Sequence, residues 1–137
     1  MRVHLRTVHL VIAKRLGSLS MRIMIYCQHV LGVGHFFRSM EIARAFSHHK
    51  VLFVEGGEPL ADFPLPPHVE RLLLPPLMMD AEFSRVSAPE GDIENVKSRR
   101  KHLLLRAFKN FAADVLIIEL FPFGRKYFRF ELLPLLQ

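Results

Sequence analysis

The chain has 137 residues, half of them hydrophobic and 23% charged, which describes a compact globular chain and excludes a disordered one. Its net charge is +6, yet the first twenty residues hold Arg2, Arg6, Lys14 and Arg15 and no acid. The remainder has 15 basic and 13 acidic residues, a net +2. The basic excess is thus concentrated in the leader, and we expect no nucleic-acid partner.

Residues 1–20 have a basic start, an apolar patch at Val8–Ala13 and small residues near Ser18-Leu19-Ser20. Lys14 and Arg15 fall where the apolar region of a signal peptide should continue. No stretch approaches the ~20 apolar residues that span a bilayer. We expect this segment to be an upstream extension outside the fold, with Met21 as the natural start. A helix lying on a membrane surface is the alternative.

From Arg22 to Cys27 the pattern is that of a buried strand. Gly34–Ser47 reads as a helix, with Phe36, Met40 and Ala43 on one side. Lys50–Val54 is a second strand closed by Gly56-Gly57, and a proline-rich loop, Glu58–His68, follows. Val69–Leu74 is a third strand, and Leu77–Gly91 a long irregular connection. Asp92 can cap a helix over Ile93–Phe111, with Val96, Leu103, Leu104, Ala107 and Phe108 as its apolar positions. Asp114–Leu120 is a fourth strand, and Lys126–Leu133 starts a last helix. Strands alternating with helices predict an α/β fold, a Rossmann-like parallel sheet with flanking helices. Four strands are fewer than a doubly wound domain usually has, so residues 21–137 read as an incomplete domain.

The candidate chemistry starts at Gly32-Val33-Gly34-His35, between the first strand and the first helix. Glycines let the backbone turn sharply beside a ligand, and the helix points free amides and a positive dipole end toward it. His35 in the first turn can act as a general base on a hydroxyl. The alternative is a histidine that caps the helix or packs. The third glycine of a dinucleotide fingerprint is missing, Phe37 standing in its place. Arg38 can hold an anionic or hydroxylated ligand, or be a solvated surface residue. Gln28 and His29 leave the strand where α/β sheets bind ligands, though a loop hydrogen bond is the equal alternative.

A second cluster, Glu119 to Lys126, follows the fourth strand. Glu119 is expected to pair with Arg125 or Lys126, or to bind a ligand hydroxyl. Phe121 and Phe123 can wall a pocket or pack in the core. The segment LPPLMMDAEF (74–83) offers an apolar surface for a lipid-like or aromatic acceptor. His48-His49 is read as a helix-end feature, and Cys27 as a small buried hydrophobe in a reducing compartment. The basic run Lys97, Arg99, Arg100, Lys101 is expected to face solvent, with anionic lipid as its sharper use. No metal cluster is evident.

MRIMIYCQHVLGVGHFFRSMEIARAF resembles the opening of bacterial predicted glycosyltransferases related to glycosyltransferase family 28. VLFVEGG, LPPLMMDAEFS and ADVLIIELFPFGRKYFRFELLPLL are similar to the same group, and the resemblance runs from about Met21 onward. It implies the acceptor-side, N-terminal domain of a GT-B fold. Gly32, Gly34 and His35 match the family's first loop; Phe123, Gly124 and Arg125 match its second. The implied activity is sugar transfer from a nucleotide donor, UDP-linked by analogy, to a small-molecule or lipid-linked acceptor hydroxyl. His35 is the implied catalytic residue, and Gly32, Gly34, Arg38, Glu119, Phe123, Gly124 and Arg125 the implied substrate contacts. No cofactor or metal is implied. The donor-binding C-terminal domain is missing from the sequence, so this chain is expected to be inactive alone. A cytoplasmic place, with the inner membrane face as a further option, follows from the same resemblance. The alternative is a non-enzymatic Rossmann-like module that binds a nucleotide or a partner chain.

Overall fold

The computed structural model describes residues 2–6, 9–13, 20–30, 32–121 and 126–137. Eight strands occur among them: β1 (Arg2–Arg6), β2 (His9–Ala13), β3 (Arg22–Cys27), β4 (Lys50–Glu55), β5 (Val69–Leu73), β6 (Met78–Met79), β7 (Val86–Ser87) and β8 (Val115–Glu119). The helices are α1 (Gly34–Ala45), α2 (Ile93–Phe111) and α3 (Arg129–Leu136), the last preceded by a 3-10 turn at Lys126–Phe128.

Six strands form one sheet in the order β1-β2-β8-β3-β4-β5. β8, β3, β4 and β5 are mutually parallel. Numbered in chain order, the parallel strands lie 3-2-1-4, the arrangement of half a doubly wound Rossmann-like sheet. β3, β4 and β8 read as near-continuous apolar runs because both faces are covered, whereas the edge strand β5 (Val-Glu-Arg-Leu-Leu) is only partly buried. Residues of even number in β3, Met24 and Tyr26, pack with Leu52, Val54, Leu116 and Ile118 under α2 and α3. Odd-numbered Ile23, Ile25 and Cys27 pack with Val51, Phe53 and Ile117 under Phe36, Met40 and Ala43 of α1. The period of two in each strand thus assigns one helix layer to each face.

Asp92 caps α2 as expected, its Oδ2 accepting from the Asn95 amide at 3.0 Å. The helix ends at Ala112 in the left-handed conformation (φ 49°, ψ 54°), with its N–H bonded to the Phe108 and Lys109 carbonyls. The connection read as irregular contains the short β6–β7 ladder. Asp80 organises its turn, accepting from the Ser84 and Arg85 amides and from the Ser84 hydroxyl. The last helix lies later than predicted: Lys126–Phe128 is a 3-10 turn, and α3 runs on to Leu136 through Pro134.

Two further sequence expectations, of larger consequence, differ from the structure. Residues 1–20 were expected to lie outside the fold, whereas β1 and β2 form an antiparallel hairpin whose second strand pairs with β8. An apolar strand edge left bare is a liability, and an adjacent apolar segment of the same chain satisfies it. Arg100, assigned to a solvated face, is fully buried. Its guanidinium donates to Glu131 at 2.6 and 2.9 Å, to the Gln28 side-chain oxygen at 2.6 Å, and to the carbonyls of Gly56 at 2.6 Å and Pro75 at 2.8 Å. The Tyr26 hydroxyl donates to the same Glu131 carboxylate at 2.5 Å. Burial disfavours the charged guanidinium, but the neighbouring Tyr26 and Glu131 oxygens outweigh it and hold its proton more firmly than usual.

Removing one partner of a buried pair strands the other charge, which costs about 3–5 kcal/mol. Arg100→Met is therefore expected to lower stability by about that amount, and Arg100→Met with Glu131→Leu to recover only the part due to the stranded carboxylate, because the Gly56 and Pro75 carbonyls stay unpaired, read by urea denaturation. Equal losses in the single and double variants would contradict this.

Tyr26 supplies a pH prediction. Burial, then the Glu131 carboxylate, push its proton affinity well above the ordinary 10.0. The unfolded chain releases this proton near its ordinary value while the folded chain keeps it. The associated stability is complete below pH 10, and it is lost as pH rises from there through the raised native value. Urea midpoints measured below and above pH 10 should fall on the alkaline side, and Tyr26→Phe should flatten that fall.

Candidate functional site

Strand order reverses between β3 and β8. β3 leads through α1 to β4 on one side, whereas α2 carries the chain back past β3 to β8 on the other. Ligands of open α/β sheets bind in the crevice at the carboxyl ends of the two strands flanking such a reversal. His35 enters from the β3 side, in the first turn of α1, and Glu119 is the last residue of β8.

The two side chains meet there. His35 Nδ1 lies 2.5 Å from Glu119 Oε1. The carboxylate is fully buried, while the imidazole is 33% exposed. A carboxylate only accepts, so the proton of the neutral ring sits on Nδ1 and donates to Glu119. That leaves Nε2, on the far side of the ring, able to accept a proton. This is how a carboxylate orients a histidine base and steadies the imidazolium formed when it takes a proton. The sequence reading had Glu119 paired with Arg125 or Lys126, or on a ligand hydroxyl; Arg125 lies outside the described residues, and among the described ones the structure adds His35 as a partner. Spacing along the chain gave no sign of this, because 84 residues separate the two.

The turn before His35 is built for approach. Gly32 has φ +64°, a conformation that disfavours side chains. A Cβ on either Gly32 or Gly34 would meet nothing within 4 Å. Among the described residues, the space over these glycines is therefore open. α1 begins with no side-chain cap at Val33 and no acid in its first turn. The amides and dipole of this helix end favour a negatively charged or oxygen-rich group. Arg38, one turn beyond His35, is exposed, as are Val33 and Phe37. Phe37 stands edge-on to Phe36 and Phe63.

Gln28 and His29 take the structural alternative. Both are buried. Gln28 accepts from Arg100 and donates to the Leu77 and His29 carbonyls. His29 Nε2 lies 3.5 Å from Glu55, which also faces Arg71 and accepts from the Leu60 amide. Gly56 and Gly57 allow β4 to leave the sheet against this loop: a Cβ on Gly57 would stand 2.2 Å from the His29 carbonyl oxygen. Glu55 occupies the strand-end position where dinucleotide-binding sheets offer a carboxylate to ribose, but here it is enclosed by its own partners.

Phe123, Gly124 and Arg125 lie outside the described residues. Phe121 is buried in the core beside α3. Cys27 is buried, with its sulfur 3.7 Å from the His35 carbonyl oxygen. His49 differs from the helix-end reading: its Nδ1 accepts from the Met21 amide at 3.2 Å. A solvent-open depression lined by Glu94, Lys97, Ser98, Lys101 and Phe130 lies on the α2–α3 face, across the sheet from α1. Among the described residues, no three His, Cys, Asp or Glu side chains are grouped to hold a metal. No helix among them is long and apolar enough to cross a membrane.

Comparison with protein families, with curated proteins and with solved structures found no match to this chain.

The pairing predicts the ring's tautomer. At a pH where His35 is neutral, its nitrogen-15 shifts should report the Nδ1–H form. Glu119→Gln, whose amide can donate as well as accept, should give a mixture containing Nε2–H. An Nε2–H tautomer in the unaltered chain would refute the arrangement.

Proposed function

We propose that this chain is the acceptor-side part of a GT-B glycosyltransferase, with His35 as the base that takes the proton of the acceptor hydroxyl. The observation that carries the reading is the buried Glu119 carboxylate on Nδ1 of a half-exposed imidazole, placed where the strand order reverses. Nε2 would accept the hydroxyl proton as that oxygen attacks the anomeric carbon of the sugar. The bond from that carbon to the nucleotide phosphate breaks, and the leaving diphosphate carries the electron pair away. The amides at the start of α1, which Val33 does not cap, would face acceptor or phosphate oxygens, and Arg38, one turn on, would contact the same ligand.

The resemblance to glycosyltransferase family 28 supports the same assignment and suggests a UDP-sugar donor. A donor-binding domain would complete the site, and the acceptor would be a small molecule or a lipid-linked one at the inner membrane face. The enclosure of Glu55 by His29, Arg71 and the Leu60 amide weighs against a dinucleotide-binding module. The missing third glycine weighs the same way.

The test is sugar transfer by the native gene product from a panel of UDP-sugars to hydroxylated acceptors. His35→Gln should lower kcat by about 100- to 10,000-fold with the donor Kd unchanged, as loss of a positioned base does. Tight NAD binding without sugar transfer, or full activity in His35→Gln, would overturn the proposal.

A further inference from the structure

The outer edge of β8 is used in an unusual way. In a doubly wound sheet the next parallel strand lies beside the fourth. Here that place is held by β2, a strand from the other end of the chain running the opposite way. The match in length is complete: five register pairs, from His9 with Glu119 to Ala13 with Val115, cover all of β8. Among the described residues β1 pairs only with β2, so the β2–β8 ladder is what joins the hairpin to the rest of the sheet. A two-stranded hairpin has little stability of its own, so its attachment is weaker than that of a strand inserted between two others.

We propose that the β8 edge is a strand-docking interface which the amino-terminal hairpin covers in this chain, and that a copy without the hairpin pairs there with β8 of a second copy. Val115-Leu116-Ile117-Ile118 is an apolar run without proline, the composition that makes a bare edge a template for pairing. A two-fold axis through Ile117 would set Val115 opposite Glu119 and Leu116 opposite Ile118. The two Glu119 carboxylates then never face each other. The pairing is antiparallel, the sense β2 already uses, and it is self-complementary as a two-fold interface must be. Because the ladder ends at Glu119, whichever strand occupies this edge borders the crevice that holds His35. The inference stands on register and topology, independently of sugar transfer.

The experiment compares the full chain with a variant spanning residues 21–137, by light scattering coupled to size exclusion and by hydrogen exchange of residues 115–119. The full chain should be monomeric with these amides protected. The shortened chain should double in mass with rising concentration, retain protection in the dimer, and return to monomer on addition of a peptide comprising residues 1–20. Leu10→Pro and Val11→Pro in the full chain give a second reading that does not depend on the shortened chain folding. Their amides face opposite neighbours, so one of the two removes a bond to β8. That variant should exchange residues 115–119 faster at low concentration and dimerise at high. A shortened chain that stays monomeric at every concentration would overturn the proposal. So would exchange at 115–119 that is equally fast in all chains, or a full chain that is already dimeric.

Discussion

One buried guanidinium ties together most of what borders the upper rim of the sheet. Arg100 projects from α2 and reaches the exits of three parallel strands: Gln28 after β3, the Gly56 carbonyl after β4 and the Pro75 carbonyl after β5. Glu131 on α3 neutralises it, and Tyr26 shares that carboxylate. Loop carbonyls buried without partners would be costly, and this group satisfies two of them while fixing where α3 lies. With Gln28 held in this way, the chain leaving β3 is constrained before it turns at Gly32 into α1. The position of His35 therefore depends on a contact made on the opposite face of the sheet.

Two histidine–carboxylate pairs lie along this rim, and they differ in access. His29 and Glu55 are buried together, with Arg71 as a third partner. His35 pairs with an equally buried Glu119 but keeps part of its ring in solvent. A base has to reach both its orienting carboxylate and a substrate proton, and of these two rings His35 is the one with an exposed side. The difference arises from topology. Glu55 ends a strand flanked on both sides by parallel neighbours connected in the same direction, and the chain folds back over it. Glu119 ends the strand at the reversal, where successive connections lead away from each other and leave a crevice.

The same reversal explains the role of the leader. A sheet ordered 3-2-1-4 ends at its fourth strand unless something continues it, and β8 is too apolar to be left bare. The hairpin of residues 2–6 and 9–13 continues it in the antiparallel sense. The charge of that segment, which read as a tag outside the fold, says nothing against strand pairing. Backbone groups form the ladder, and the apolar run of β2 lies within the patch already visible at Val8–Ala13.

Local pattern sufficed for the four parallel strands and the two helices of residues 21–121, though not for the short β6–β7 ladder. The buried runs at Arg22–Cys27 and Val115–Glu119, the Asp92 cap and the glycine turn before His35 were all legible, because apolar periodicity, capping and backbone freedom are properties of a few neighbouring residues. The alternation of those elements also implied a parallel sheet. Partnerships were not legible. That Arg100 is buried rather than solvated, that Glu119 meets His35, and that residues 9–13 cover β8 each depend on groups from 31 to more than 100 positions apart. The sequence by itself determined which segments are strands and helices and where a proton acceptor stands at a glycine turn. Only the tertiary structure decided what each charged side chain faces, since the order of strands in a sheet sets which distant strand ends become neighbours.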